Sequence, residues 1–104
     1  MTVKILVLYN NSCPSFDQVM TRIKEVIQEN NIPVELNTEL LTSDQEAKKW
    51  KFIGSPTILI NDKDIDPVDS NVFRLDNCRV YIKEDGNISP IPSKEIIKNA
   101  LLNN

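Results

Sequence analysis

Residues 3–9 read Val-Lys-Ile-Leu-Val-Leu-Tyr, a near-continuous apolar run with β-branched side chains. A run of this kind, without strict alternation, predicts a central strand covered on both faces. Asn10-Asn11-Ser12 follows as turn chemistry, then Cys13-Pro14. Pro14 fits the first position of a helix, where its missing N–H removes no hydrogen bond. Beyond it Phe16, Val19, Met20, Ile23, Val26 and Ile27 recur at three- and four-residue spacing, with Asp17, Arg22, Lys24, Glu25 and Gln28 on the other side. That spacing predicts an amphipathic helix with one face on the sheet.

The rest of the chain continues the alternation of strand and helix. Asn30-Asn31 can supply a left-handed cap, and Pro33 marks the exit into a second strand over about residues 34–38. Ser43 and Glu46 have capping-box spacing for a shorter helix over about 44–52, with Ala47, Trp50 and Phe52 inward and Gly54 ending it. A third strand is expected over 57–60. The turn Asn61-Asp62-Lys63 can then bring residues 64–66 back as a short fourth strand. Residues 67–77 are polar with Val72, Phe73 and Leu75 embedded, and residues 78–82 alternate as an extra short edge strand would. Asp85-Gly86 turns the chain, and Ser93 caps a last helix carrying Ile96, Ile97, Ala100 and Leu101. With 104 residues there is room for one domain, residues 1–104.

Composition narrows the function classes. A net charge of −3 and 6% aromatic residues give no basic, stacking surface for a nucleic acid. The longest apolar run is far short of a membrane span, and the N-terminus lacks the features of a signal peptide, so a cytoplasmic protein without membrane contact is expected. In that compartment two cysteines favour a transient bridge over a permanent one. Histidine is absent, which removes the usual Cys/His and Ser/His arrangements and the commonest metal ligand. No metal site and no cofactor are expected.

Chemistry concentrates at Cys13. The unpaired N–H groups and the positive dipole end at a helix start favour a thiolate, so a cysteine there tends towards a lowered pKa and raised reactivity. Ser12 and Ser15 could hydrogen-bond that thiolate, and Ser15 fits a simple cap better. The bland alternative is a small, partly buried residue at a loop–helix junction. Trp50 reads as core. The acidic set Asp62, Asp64, Asp66 and Asp69 reads as a solvated turn, since it lacks the glycine and glutamate of a calcium loop.

The order β-α-β-α-β-β-(β)-α, with a cysteine after the first strand and Ser55-Pro56 before the third, resembles the thioredoxin fold along nearly the whole chain. That resemblance implies an α/β architecture: a central four-stranded mixed sheet flanked by three helices, with an inserted loop before the last helix. Cys13-Pro14, Phe52-Ile53-Gly54-Ser55-Pro56-Thr57-Ile58, Asp66-Pro67, Cys78-Arg79-Val80-Tyr81 and the closing Pro92, Ile96-Ile97 and Ala100-Leu101 further resemble a small bacterial group of thioredoxin-like proteins that are sometimes classed beside alkylmercury lyases. The narrower likeness carries a fold and two cysteines rather than a defined reaction. In the C-x-x-C motif of thioredoxins the second cysteine resolves the mixed disulfide. Here Phe16 stands at that position, so the motif supports only a monothiol route. By resemblance, Ser55-Pro56 corresponds to the cis-proline loop facing the active cysteine, so Ser55, Pro56 and Thr57 join Ser12 and Pro14 as candidate substrate-binding residues.

Cys78 divides the mechanisms. If residues 64–66 form the fourth strand, the chain returns to the Cys13 end of the sheet and Cys78 can come within bonding range. If residues 78–82 form it, Cys78 starts at the far end and cannot. Both arrangements are open at this stage, as is a buried edge-strand cysteine. Arg79, on the opposite face of an extended segment, reads as solvated or ion-paired. The first functional expectation is thiol–disulfide exchange with Cys13 as nucleophile and Cys78 as candidate resolver, acting on a protein or low-molecular-weight thiol or disulfide, in a monomer or weak dimer. The alternative is a non-catalytic binding module. Two convergent thiolates would also suit a soft ion such as mercury or copper(I).

Overall fold

The computed structural model describes residues 2–12, 15–66, 73, 75 and 79–102. The apolar run becomes β1 (Val3–Tyr9), and its side chains divide between two cores. Ile5 and Val7 face one side, where they meet Val19, Ile23 and Val26 of α1 (Phe16–Asn30) and Ile97 and Leu101 of α3 (Lys94–Leu102). Leu8 faces the other side, with Leu41, Phe52 and Ala47 of α2 (Asp44–Trp50), and Leu6 packs against the same cluster. The continuous apolar sequence of β1 therefore follows from burial on both sides of a single sheet.

β2 (Val34–Leu40) runs parallel to β1, from Val3 opposite Val34 to Tyr9 opposite Leu40. β3 (Thr57–Ile60) lies antiparallel on the other flank of β1, from Ile5 opposite Ile60 to Leu8 opposite Thr57. β4 (Lys63–Asp64) is antiparallel to β3, so the order is β2-β1-β3-β4. The result is a four-stranded mixed sheet with α1 and α3 on one face and α2 on the other. The ends of β1 and β2 and the start of β3 share one edge, which brings Asn10 beside Ser55. No helix among the described residues is long and apolar enough to cross a membrane.

Several boundaries differ from the sequence reading for local reasons. α1 starts at Phe16 with Ser15 as N-cap, two residues later than expected, and the Ser15 side chain makes no capping hydrogen bond. α2 ends at Trp50 because Lys51 turns left-handed and donates its N–H to the Ala47 and Lys48 carbonyls, three residues before Gly54. Half of the capping box forms: Ser43 Oγ accepts from Glu46 N–H at 3.2 Å, whereas the Glu46 carboxylate turns to the Thr42 N–H and hydroxyl. The left-handed cap of α1 is Asn31, with φ 51°. Asn61 and Asp62 both have positive φ, making a two-residue turn from which β4 begins at Lys63.

The alternating segment forms a shorter strand than 78–82. β5 (Tyr81–Ile82) pairs not with the main sheet but with β6 (Ile88–Ser89), across the Asp85-Gly86 turn. Gly86 has φ 86°, the left-handed geometry that glycine adopts without strain. Tyr81 is fully buried, while Ile82 and Ile88 face outward at 67% and 68% exposure.

Candidate functional site

Cys13, Pro14 and Cys78 lie outside the described residues, as does Asp69. The site is therefore built from the residues that flank them. Ser12, directly before Cys13, is exposed and donates its N–H to Asn10 Oδ1 at 3.1 Å. Asn10 closes β1 and is buried. Its N–H reaches Ser55 Oγ at 3.4 Å and its Nδ2 donates to the Leu75 carbonyl at 2.7 Å. Arg79, directly after Cys78, donates its main-chain N–H to the Ser55 carbonyl at 3.1 Å. Ser55 is thus the meeting point of the chain entering residue 13 and the chain leaving residue 78.

The Ser55-Pro56 peptide is cis. Ser55 and Pro56 are buried, and the Pro56 carbonyl accepts from the Tyr81 hydroxyl at 2.7 Å. Thr57 is buried too, with its hydroxyl donated to the Gly54 carbonyl at 2.6 Å. Its remaining surface lines a cleft of about 310 Å³ on the α2 side of the sheet, with Lys49, Trp50, Leu59 and Asp64. Thr57 is therefore turned towards α2, with its hydroxyl proton committed to the Gly54 carbonyl.

Phe16, at the position of the second motif cysteine, stacks on Tyr9 with ring centroids 4.0 Å apart and planes 26° from parallel. The stack joins the last residue of β1 to the first of α1. With the Ser15 hydroxyl not engaged in capping, the N–H groups of the first turn of α1 are not satisfied from that side chain.

Arg79 is the residue whose role the sequence reading understated. Only 4% exposed, it forms a two-pronged ion pair with Asp64, Nη1 to Oδ2 at 2.6 Å and Nη2 to Oδ1 at 2.7 Å. Nη2 also donates to the Asp66 carbonyl, the guanidinium lies 4.8 Å above the centroid of the Tyr81 ring, and Nε is buried without a hydrogen-bond partner. Burial works against the cation, but the Asp64 hydrogen bond, with electrostatic interactions from Tyr81, Asp64 and Asp66, outweighs it and raises the guanidinium pKa. Asp64 and Asp66 accordingly leave the category of solvated turn. Among the described residues no group of three or more His, Cys, Asp and Glu is arranged to hold a metal ion.

Asn10 and Tyr81 were also absent from the sequence-based site. The signal for Asn10 was a polar residue closing a strand buried on both faces. For Tyr81 it was the inward phase of the alternation that leaves Val80 and Ile82 exposed.

A family model described as Domain of unknown function (DUF2703) matches residues 9–100. The chain belongs to this family. The DUF2703 match begins at the last residue of β1 and ends within α3, so it spans Asn10, both cysteines, the Ser55-Pro56 loop, Asp64, Arg79 and Tyr81. Neither the curated proteins nor the solved structures contain a match to the chain.

Proposed function

We propose that the four-stranded sheet and its three helices are a thioredoxin-like fold, and that the protein carries out thiol–disulfide exchange with Cys13 as nucleophile and Cys78 as resolving thiol. The fold part of this reading is supported by the strand order β2-β1-β3-β4, with β2 parallel and β3 antiparallel to β1. The chemical part rests on one observation, the convergence on Ser55. Ser12 joins that corner through Asn10 and Arg79 joins it directly. Each cysteine is the immediate sequence neighbour of one of these anchored residues. β4 at residues 63–64, antiparallel to β3, also corresponds to the arrangement in which the chain returns towards Cys13.

The chemistry balances simply. The Cys13 thiolate attacks one sulfur of a disulfide, forms a mixed disulfide and expels the other half as a thiolate, which takes a proton from water. The Cys78 thiolate then attacks the Cys13 sulfur and expels the second half. The substrate gains two electrons, and the protein is left with a Cys13–Cys78 bridge. The first-turn N–H groups of α1 would favour the attacking thiolate.

The test is the pH profile of Cys13 alkylation in a Cys78→Ser variant. A midpoint near or below neutrality is expected, and one near the free-cysteine value of about 8.5 would reject the reading. The second reading, a binding module without catalysis, draws on Phe16, whose ring is stacked on Tyr9 where a resolving cysteine would otherwise stand. It predicts the unshifted midpoint.

A further inference from the structure

Resting on the thiol-exchange reading, we infer that the substrate is a low-molecular-weight disulfide and not an extended polypeptide, because residues 79–81 already occupy the backbone positions on which a peptide would dock. An extended peptide binds beside a nucleophile by adding a strand, pairing its main-chain groups with open ones on its receptor. At the corner beside α1 the carbonyls are already taken. Ser55 takes part in a β-bridge and its carbonyl accepts from Arg79 N–H. Pro56 has no N–H, and its carbonyl accepts from the Tyr81 hydroxyl. Thr57 is paired with Leu8, and the Ile58 carbonyl accepts from Ile65 N–H.

The occupying segment is also fastened. Arg79 is held by both oxygens of Asp64 and by the Asp66 carbonyl, and Tyr81 is wholly buried beneath it. A polypeptide could pair with Ser55 only by displacing Arg79 and undoing an ion pair that is largely out of water. A small disulfide needs none of these bonds, only access to the sulfur. The two electrons for each turnover come from two molecules of a low-molecular-weight thiol, which reopen the Cys13–Cys78 bridge and leave as their own disulfide.

The experiment uses two probes with the same scissile bond: 2-hydroxyethyl disulfide, and an extended peptide whose single cysteine carries a 2-hydroxyethylthio group. Formation of the Cys13 adduct is followed by intact mass on the reduced Cys78→Ser protein, and each rate is divided by that of free cysteine with the same probe. The normalised rate for the small disulfide should exceed that for the peptide by at least about tenfold, a barrier difference that the loss of one or two docking hydrogen bonds supplies. Equal rates, or a faster peptide, would overturn the inference while leaving the thiol reading standing. If neither probe reacts faster than free cysteine, the thiol reading fails and the inference falls with it. In a folded Asp64→Asn protein, with the Arg79 clamp weakened, the peptide rate should rise severalfold at an unchanged small-disulfide rate. An unchanged gap would overturn the role given to residues 79–81.

Discussion

The main-chain N–H of Arg79 donates to the carbonyl of Ser55 at 3.1 Å, so the segment leaving residues 67–78 is laid against the loop that enters β3. The side chain of the same arginine is clamped by Asp64 on β4, which makes Arg79 a rivet between two parts of the molecule. The two members of this ion pair should respond differently to mutation.

Removing the carboxylate leaves a guanidinium that is 3% exposed without its counter-charge. Asp64→Ala should therefore destabilise the protein by about 2–4 kcal/mol, and Arg79→Met by less, because methionine removes the charge and the unpartnered Nε together. Urea unfolding at neutral pH, with the two midpoints compared at equal m-values, checks this order. The reverse ranking would mean that Arg79 contributes mainly through its aliphatic packing.

Tyr81→Phe keeps the buried ring and deletes the hydroxyl bonded to the Pro56 carbonyl at 2.7 Å. A buried acceptor left unsatisfied costs about 1–3 kcal/mol, so a loss of thermal stability within that range is expected. Calorimetry on the variant would detect it, and a neutral result would show that water reaches Pro56.

Phe52 is fully buried between the sheet and α2, in the smaller of the two cores. Phe52→Ala should cost about 3–5 kcal/mol, whereas Val80→Ala, at a site 55% exposed, should stay within about 0.5 kcal/mol. Denaturant midpoints of the two variants measured side by side test the assignment of faces.

Glu46 is held below its ordinary value of 4.5 by the Thr42 hydroxyl and then by the Thr42 N–H. Because the unfolded chain takes up this proton first as pH falls, the contribution to stability is fully present above the ordinary value and is lost as pH drops through the lowered one. An NMR titration should show the Glu46 pKa moving back up in Thr42→Ala, with the stability lost on acidification through this range becoming smaller.

What the sequence revealed and what it hid follows from the range of the interactions. β1 and β3 were legible residue by residue because their apolar runs record burial directly, and the Ser43 and Ser93 caps because a cap is a local contact. The start of α1 was misread by two residues because a proline is equally at home before a helix and inside its first turn. The Lys51 cap was hidden because a lysine rarely adopts a left-handed geometry, so Gly54 looked the better stop. Arg79 was half legible: a solvated or ion-paired side chain was expected, and neither its partner nor its burial could be read when Asp64 lies on a different strand. For the same reason the convergence of Asn10, Ser55 and Arg79 left no local trace, since each bond joins residues from separate elements.

The hairpin of β5 and β6 is joined by two register pairs, and of its four strand residues Tyr81 alone is buried. Little apolar surface opposes its partial opening, so its amides should exchange with deuterated solvent by local fluctuation, whereas those of β1 wait for the whole sheet to come apart. Beyond the Arg79 clamp, one phenol ring thus does most to keep the chain's own cover over Pro56.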